Sequence, residues 1–196
     1  TVGGTYTVET NAGSITDSGV LTITGASSFT TSTANDDITL NSGLAASGAI
    51  TLSTAGLTGN ATVVNTVATT LAASTIGGNL DVNSSNNSLA VSGALSTAAA
   101  NGTLALNAGT NTLTTNAGGT LASGTGAITL TSDAIALGDT VTGTGNITLT
   151  PSTASTGIGL GTGAAGAYSL NTAEIALLTN GFTLITIGNA AGTGAI

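Results

Sequence analysis

A five-residue motif recurs along the chain: Gly or Asn, one spacer, then an apolar–polar–apolar triplet. It reads Gly19-Val20-Leu21-Thr22-Ile23, Gly48-Ala49-Ile50-Thr51-Leu52 and Gly78-Asn79-Leu80-Asp81-Val82. It returns as Asn87-Ser88-Leu89-Ala90-Val91, Gly102-Thr103-Leu104-Ala105-Leu106, Gly126-Ala127-Ile128-Thr129-Leu130 and Gly145-Asn146-Ile147-Thr148-Leu149, with Asp37-Ile38-Thr39-Leu40 as a shortened copy. Alternation at period two puts every second side chain on one face of a strand. Leu80, Leu104 and Ile128 stand 24 residues apart, and Ile128 and Ile147 stand 19 apart. A short strand returning at that interval, bounded by Gly, Asn and Ser, is the signature of one coil of a parallel β-helix, whose coils stack about 4.8 Å apart. About ten such coils predict a rod on the order of 45 Å long.

The composition fits a narrow core. Of 196 residues 40% are hydrophobic but only 2% aromatic: Tyr6, Phe29, Tyr168 and Phe182. Thr, with its branched Cβ, favours extended backbone and hydrates a face without charge. Asn at corners accepts left-handed backbone and stacks in hydrogen-bonded ladders. Disorder is disfavoured, because disordered chains pair low hydrophobicity with high charge, whereas here mean hydropathy is +0.46 and charged residues make up 4%. An antiparallel sandwich is the competing architecture; the constant internal phase of the motif favours the solenoid. The expected fold is therefore all-β, a parallel β-helix forming one segment over residues 1–196. A short helical insertion near Asn171 to Leu178 is expected, because Asn171 and Glu174 have capping-box spacing and Asn180-Gly181 supplies a stop.

The charges exclude whole classes of chemistry. There is no Lys, Arg, His or Cys, and the net charge of −8 comes from Glu9, Asp17, Asp36, Asp37, Asp81, Asp133, Asp139 and Glu174. A Ser or Thr nucleophile has no ordinary base, zinc has no nitrogen or sulfur ligand, and nucleic acid has no cation to meet its phosphates. No catalytic residue and no cofactor is expected. Asn35, Asp36 and Asp37 supply hard oxygens and form a calcium candidate, although adjacent Asp36 and Asp37 on a strand point to opposite faces. Glycan binding or hydrolysis by carboxylates is an alternative function. Ice binding is a second, resting on Thr-x-Thr at Thr22, Thr112, Thr129 and Thr148, whose uneven spacing argues against a flat array. Sequons begin at Asn60, Asn83, Asn86, Asn101 and Asn146. The longest uninterrupted apolar runs, Ala134 to Leu137 and Ile175 to Leu178, hold four residues, against about 20 for a membrane-spanning helix.

Several blocks resemble the repeats of filamentous-haemagglutinin-like bacterial exoproteins: Ser14 to Gly25, Asp37 to Asn41, and above all the ordered set from Val141 to Leu149, through Gly157 to Gly161 and Thr172 to Leu178, to Gly181–Gly188 and Gly192–Ile196. The resemblance implies a right-handed parallel β-helix, export to the bacterial cell surface or beyond, and a role in adhesion or filament building; it brings no catalytic residues. Related repeats often carry basic residues, and here Asn189 follows Gly188. Thr1-Val2-Gly3-Gly4 reads as a processed or excerpted start. Gly194-Ala195-Ile196 joined to Thr1-Val2 reproduces the motif, so the segment is expected to be one unit of a tandem array or an end-to-end stack. Self-association, lateral bundling and contact with a cell surface or glycan are the expected partnerships.

Overall fold

The computed structural model describes residues 1–196. Short strands stack in parallel as a β-solenoid of about seven turns. One side of the solenoid runs the length of the molecule: Ile15–Thr16, Ile38–Ala46, Ala61–Asn65, Leu80–Asn83, Leu104–Thr115, Ile128–Leu137, Asn146–Thr150 and Leu184–Ile187. Along it Ile15, Ile38, Ala61, Leu80, Leu104, Ile128, Ile147 and Ile185 fall in one file, so the 24-residue spacing of Leu80, Leu104 and Ile128 is a true coil. Three of these strands are long because they turn a corner and serve a second side; Gly43 (φ 116°) and Gly109 (φ 59°) occupy two of the corners in backbone conformations that a side chain rarely adopts.

Coil length varies, and this corrects the expected count of about ten. Successive residues of the file are separated by 23 residues (Ile15 to Ile38), 19 (Ala61 to Leu80) or 24 (Leu80 to Leu104), and Ile147 to Ile185 takes 38. The last coil holds the insertion: Ile158–Leu160, Tyr168–Leu170, which pairs with it, and the helix Thr172–Ala176. The helix has the expected capping box, Asn171 accepting from Ala173 and Glu174 while Glu174 accepts from the Asn171 N–H. It stops at Leu177, earlier than the Asn180-Gly181 signal, because buried Leu178 is drawn into a bridge with Val141.

The same motif serves different sides. The Leu21–Ile23 copy stacks under Leu44 to Ala46, and the Ile50 copy stacks on Ser27–Thr31, while Leu89–Val91 lies between Thr69–Leu71 and Leu113 to Thr115. The cross-section also changes. Strand Ala49–Thr54 meets two separate strands of the next coil, Thr69–Leu71 through Ile50 and Ser74–Ile76 through Ser53.

Inward residues form one continuous cluster of 34 buried side chains. Within Leu104–Thr115, Leu104, Leu106 and Leu113 are buried while Ala105 and Thr112 are not. Full burial of each such Leu contributes about 1.5–3 kcal/mol. Corner glycines let the coils approach. A Cβ on Gly126 would lie 2.0 Å from the Gly102 carbonyl oxygen, and one on Gly102 would lie 2.5 Å from that of Gly78. At Gly48, Gly102, Gly126 and Gly145 the Gly that opens the repeated motif is therefore fixed by the coil beneath it, whereas Gly19 has open space.

Three buried hydroxyls, Ser27 Oγ, Ser132 Oγ and Tyr168 Oη, have no hydrogen-bond partner. Burial also pushes the Tyr168 phenol well above its usual titration range. An orphaned buried polar atom loses its hydration without compensation. Tyr168→Phe is therefore expected to raise stability by about 1 kcal/mol, read as a higher urea midpoint at unchanged slope.

Candidate interaction surfaces and the carboxylate braces

The outward residues of the continuous side also fall in register: Thr16, Thr39, Thr62, Asp81, Ala105, Thr129, Thr148 and Thr186. Thr131 and Thr150 align beside the later members. Of the four Thr-x-Thr threonines weighed for a flat array, Thr129 and Thr148 fall in this file, because coils of unequal length deliver them to it. Asp81 and Ala105 split the file into two runs of three, and Thr22 and Thr112 stack against Ala45 and Ala134 instead. Around the split lies an open groove of about 420 Å³, with Asp37, Thr39, Asn60, Thr62, Asn79 and Asp81 on its walls. It holds no aromatic ring and no cation.

One edge of this face is a polar ladder. Ser14 Oγ accepts from the Asp37 N–H at 2.9 Å, Asp37 Oδ1 from the Asn60 N–H at 2.7 Å, Asn60 Oδ1 from the Asn79 N–H at 2.8 Å, and Asn79 Oδ1 from the Thr103 N–H at 2.9 Å. Each side chain thus caps the coil above or below it. The corner Asn stacking expected from composition is realised here, with Asp and Ser as interchangeable acceptors.

Most of the acids do the same work elsewhere. Asp17 accepts from the N–H groups of Asn41 and Ser42, next to the bend at Gly43, and Asp36 accepts from Gly13. Asp133 accepts from Thr153, Asp139 from Gly118 and Thr140, and Glu174 from Leu137 at 3.0 Å. These N–H groups lie where a coil leaves a donor without a strand partner, and a carboxylate gives a strong, charge-assisted acceptor. The chain thus carries carboxylates buttressed by amide donors without a single cationic side chain.

The calcium candidate resolves in these terms. Asp36 turns to Gly13 on the preceding coil, whereas Asp37 turns to Asn60 on the following one; both precede the strand that starts at Ile38. Asn35, in left-handed backbone at φ 74°, accepts from the Thr58 hydroxyl. No group of three or more Asp, Glu, His or Cys converges anywhere. Among the sequons, the Asn60 carboxamide is engaged in the ladder, whereas Asn101 and Asn146 are exposed.

The brace at Asp139 gives a pH dependence. The backbone N–H of Thr140, then that of Gly118, holds the Asp139 carboxyl below the usual carboxylate range. Its folded pKa lies below the unfolded value of about 3.9, so its stabilisation is present above that value and is lost as pH falls through the folded pKa. Asp139→Asn, which keeps an acceptor oxygen but no charge, should lower the urea midpoint at neutral pH. The gap to the parent protein should close in acid, once the pH falls below the folded pKa; a gap that persists there would assign the effect to packing instead.

The remaining surface feature is apolar: apart from Leu57, 63% exposed on a middle coil, its large residues lie towards the two ends of the stack. Val20 is 83% exposed near the first coil, and Leu184 and Ile196 are 54% and 94% exposed near the last. No helix is long and apolar enough to cross a membrane. No family model matches the chain, and neither the curated proteins nor the solved structures yield a match.

The sequence reading passed over Asn65 and the bracing roles of Asp17, Asp133, Asp139 and Glu174. For Asn65 a signal was present: in Ala61-Thr62-Val63-Val64-Asn65 it occupies the inward phase that the motif reserves for apolar residues. The braces left no local signal, because each partner is 20 or more residues away in most cases, as with Asp139 and Gly118 at 21.

Proposed function

We propose that this chain is a structural, adhesive segment of an exported bacterial surface protein, forming a rigid rod or extracellular filament by coil-on-coil stacking. One observation carries the reading. The apolar file is sealed along its length, with Ile38, Leu80, Leu104, Ile128 and Ile147 all at 0% exposure, yet its last member, Ile185, is 44% exposed. Ile185 belongs to Leu184–Ile187, whose outer backbone edge is free to pair. Another parallel coil, from adjoining repeats or a second copy, is the covering that matches both the apolar file and the hydrogen-bond spacing. The absence of cationic side chains supports the same role: it leaves trypsin-like proteases no cleavage site and limits repulsion when rods approach side by side.

The outward Thr, Asn and Ser groups provide hydroxyl and amide contacts for a cell surface or glycan. The resemblance to filamentous-haemagglutinin-like repeats supports export and adhesion. Electron microscopy with layer-line analysis tests the assembly. Continuous fibres with a meridional repeat near ~4.8 Å are expected; discrete particles the length of one segment would overturn the filament reading.

A further inference from the structure

We infer that Asn180 is a site of spontaneous deamidation, and that the folded solenoid confines the reaction to it. The chemistry needs a backbone nitrogen that can reach the Asn side chain. The nitrogen of residue 181 attacks Asn180 Cγ and the bond from Cγ to the carboxamide nitrogen breaks. The leaving nitrogen takes the proton of the attacking N–H and departs as ammonia. The resulting succinimide takes up one water. Opening at Cγ gives aspartate, and opening at the main-chain carbonyl gives isoaspartate. A following Gly removes the steric barrier to attack.

The chain has two Asn-Gly pairs, and the fold treats them oppositely. At Asn101-Gly102 the Gly102 N–H donates to the Ala99 carbonyl at 3.0 Å, and Gly102 is buried with its open side filled by the Gly78 carbonyl oxygen. Its nitrogen is both occupied and immobile. The Asn-Ser pairs are held likewise. The Ser42 N–H donates to the Asp17 carboxylate and the Ser84 N–H to the Asn107 carbonyl, while the Asn87 carboxamide donates to Ser84 and Ser85. Asn180-Gly181 is different. Both residues are exposed in the turn between Leu178 and Leu184–Ile187, neither the Asn180 carboxamide nor the Gly181 N–H has a hydrogen-bond partner, and Gly181 sits at φ 144°.

The product matters to the last coil. The turn is pinned on both sides, by the Thr179 N–H on the Val141 carbonyl at 3.1 Å and the Thr183 N–H on the Gly145 carbonyl at 2.9 Å. Isoaspartate inserts an extra main-chain carbon between those pins and adds a negative charge. Both changes loosen the strand that carries Ile185.

The full chain, aged in mildly alkaline buffer and cleaved with a protease of apolar specificity, gives the deamidated fraction at each Asn by mass spectrometry. In the folded protein Asn180 is expected to react faster than Asn101 by roughly tenfold or more, the factor imposed by first breaking one ordinary hydrogen bond. In denaturant the two rates should converge. Isoaspartyl methyltransferase labelling of the aged protein should disappear in Asn180→Gln. Asn101 keeping pace with Asn180 in the folded state, or labelling that survives in Asn180→Gln, would overturn the assignment.

Discussion

Gly126→Ala should destabilise the solenoid by about 3 kcal/mol, at the upper end of the cost of overpacking, although its backbone conformation suits any residue. The new Cβ would stand 2.0 Å from the Gly102 carbonyl oxygen and 2.4 Å from its carbon, far inside the ~3.5–4.0 Å of an ordinary contact. Neither atom belongs to a flexible side chain, so relief requires spreading two coils that are paired on either side of the corner, through Ser96 and Ala122 before it and through Leu104 and Ile128 after it. Gly118→Ala is the contrasting case. Gly118 has φ 86° but nothing within 4 Å of a Cβ, so only left-handed strain is expected, about 1 kcal/mol. Urea denaturation of the two variants gives the comparison directly. A larger loss at Gly118 would mean that conformation, and not stacking, selects the corner glycines.

Asn65→Leu should cost about as much, roughly 3 kcal/mol, although it places an apolar residue at a fully buried position. Asn65 Oδ1 accepts from the Ala46 N–H at 2.9 Å and Nδ2 donates to the Ala46 carbonyl, also at 2.9 Å, with Thr69 Oγ1 as a second acceptor. The side-chain amide thus imitates a peptide unit. It does so at the entrance to the 19-residue coil from Ala61 to Leu80, where the chain turns away before it can supply a strand partner for Ala46. Leu would leave a donor and an acceptor orphaned at a residue with no solvent exposure, each costing about 1–3 kcal/mol. The check is a thermal or urea midpoint together with amide exchange at Ala46, which should accelerate in the variant. Undiminished protection at Ala46 would show that another group takes over the pairing.

The alternation of Leu80-Asp81-Val82 or Ile128-Thr129-Leu130 was enough to read strands, their inward face and a coil of roughly 20 residues. The Asn171–Glu174 cap was equally local, and the helix starts where that cap places it. Other features depend on residues far apart in sequence. Asn60 and Asn79 look like ordinary turn residues until the fold puts Asn60 Oδ1 on the Asn79 N–H. Thr16, Thr39 and Thr62 form one file while Thr22 and Thr112 do not, because coil length and corner position decide which copies of a motif share a side. Asp36 and Asp37 looked like cation ligands by composition; their distant amide partners make them braces.

By itself the sequence determined that the chain is β-rich, narrow-cored, coiled in parallel and free of cationic chemistry. Those properties follow from period-two patterning and from which side chains are present, and both are local. The tertiary structure decided the number of coils, the change of cross-section at residues 65–76, the pairing of Asn65 with Ala46, and the use of carboxylates as amide acceptors. Stacking joins residues about one coil apart along a chain whose coils differ in length. A pattern that fixes where each strand faces therefore leaves open which strand lies above it.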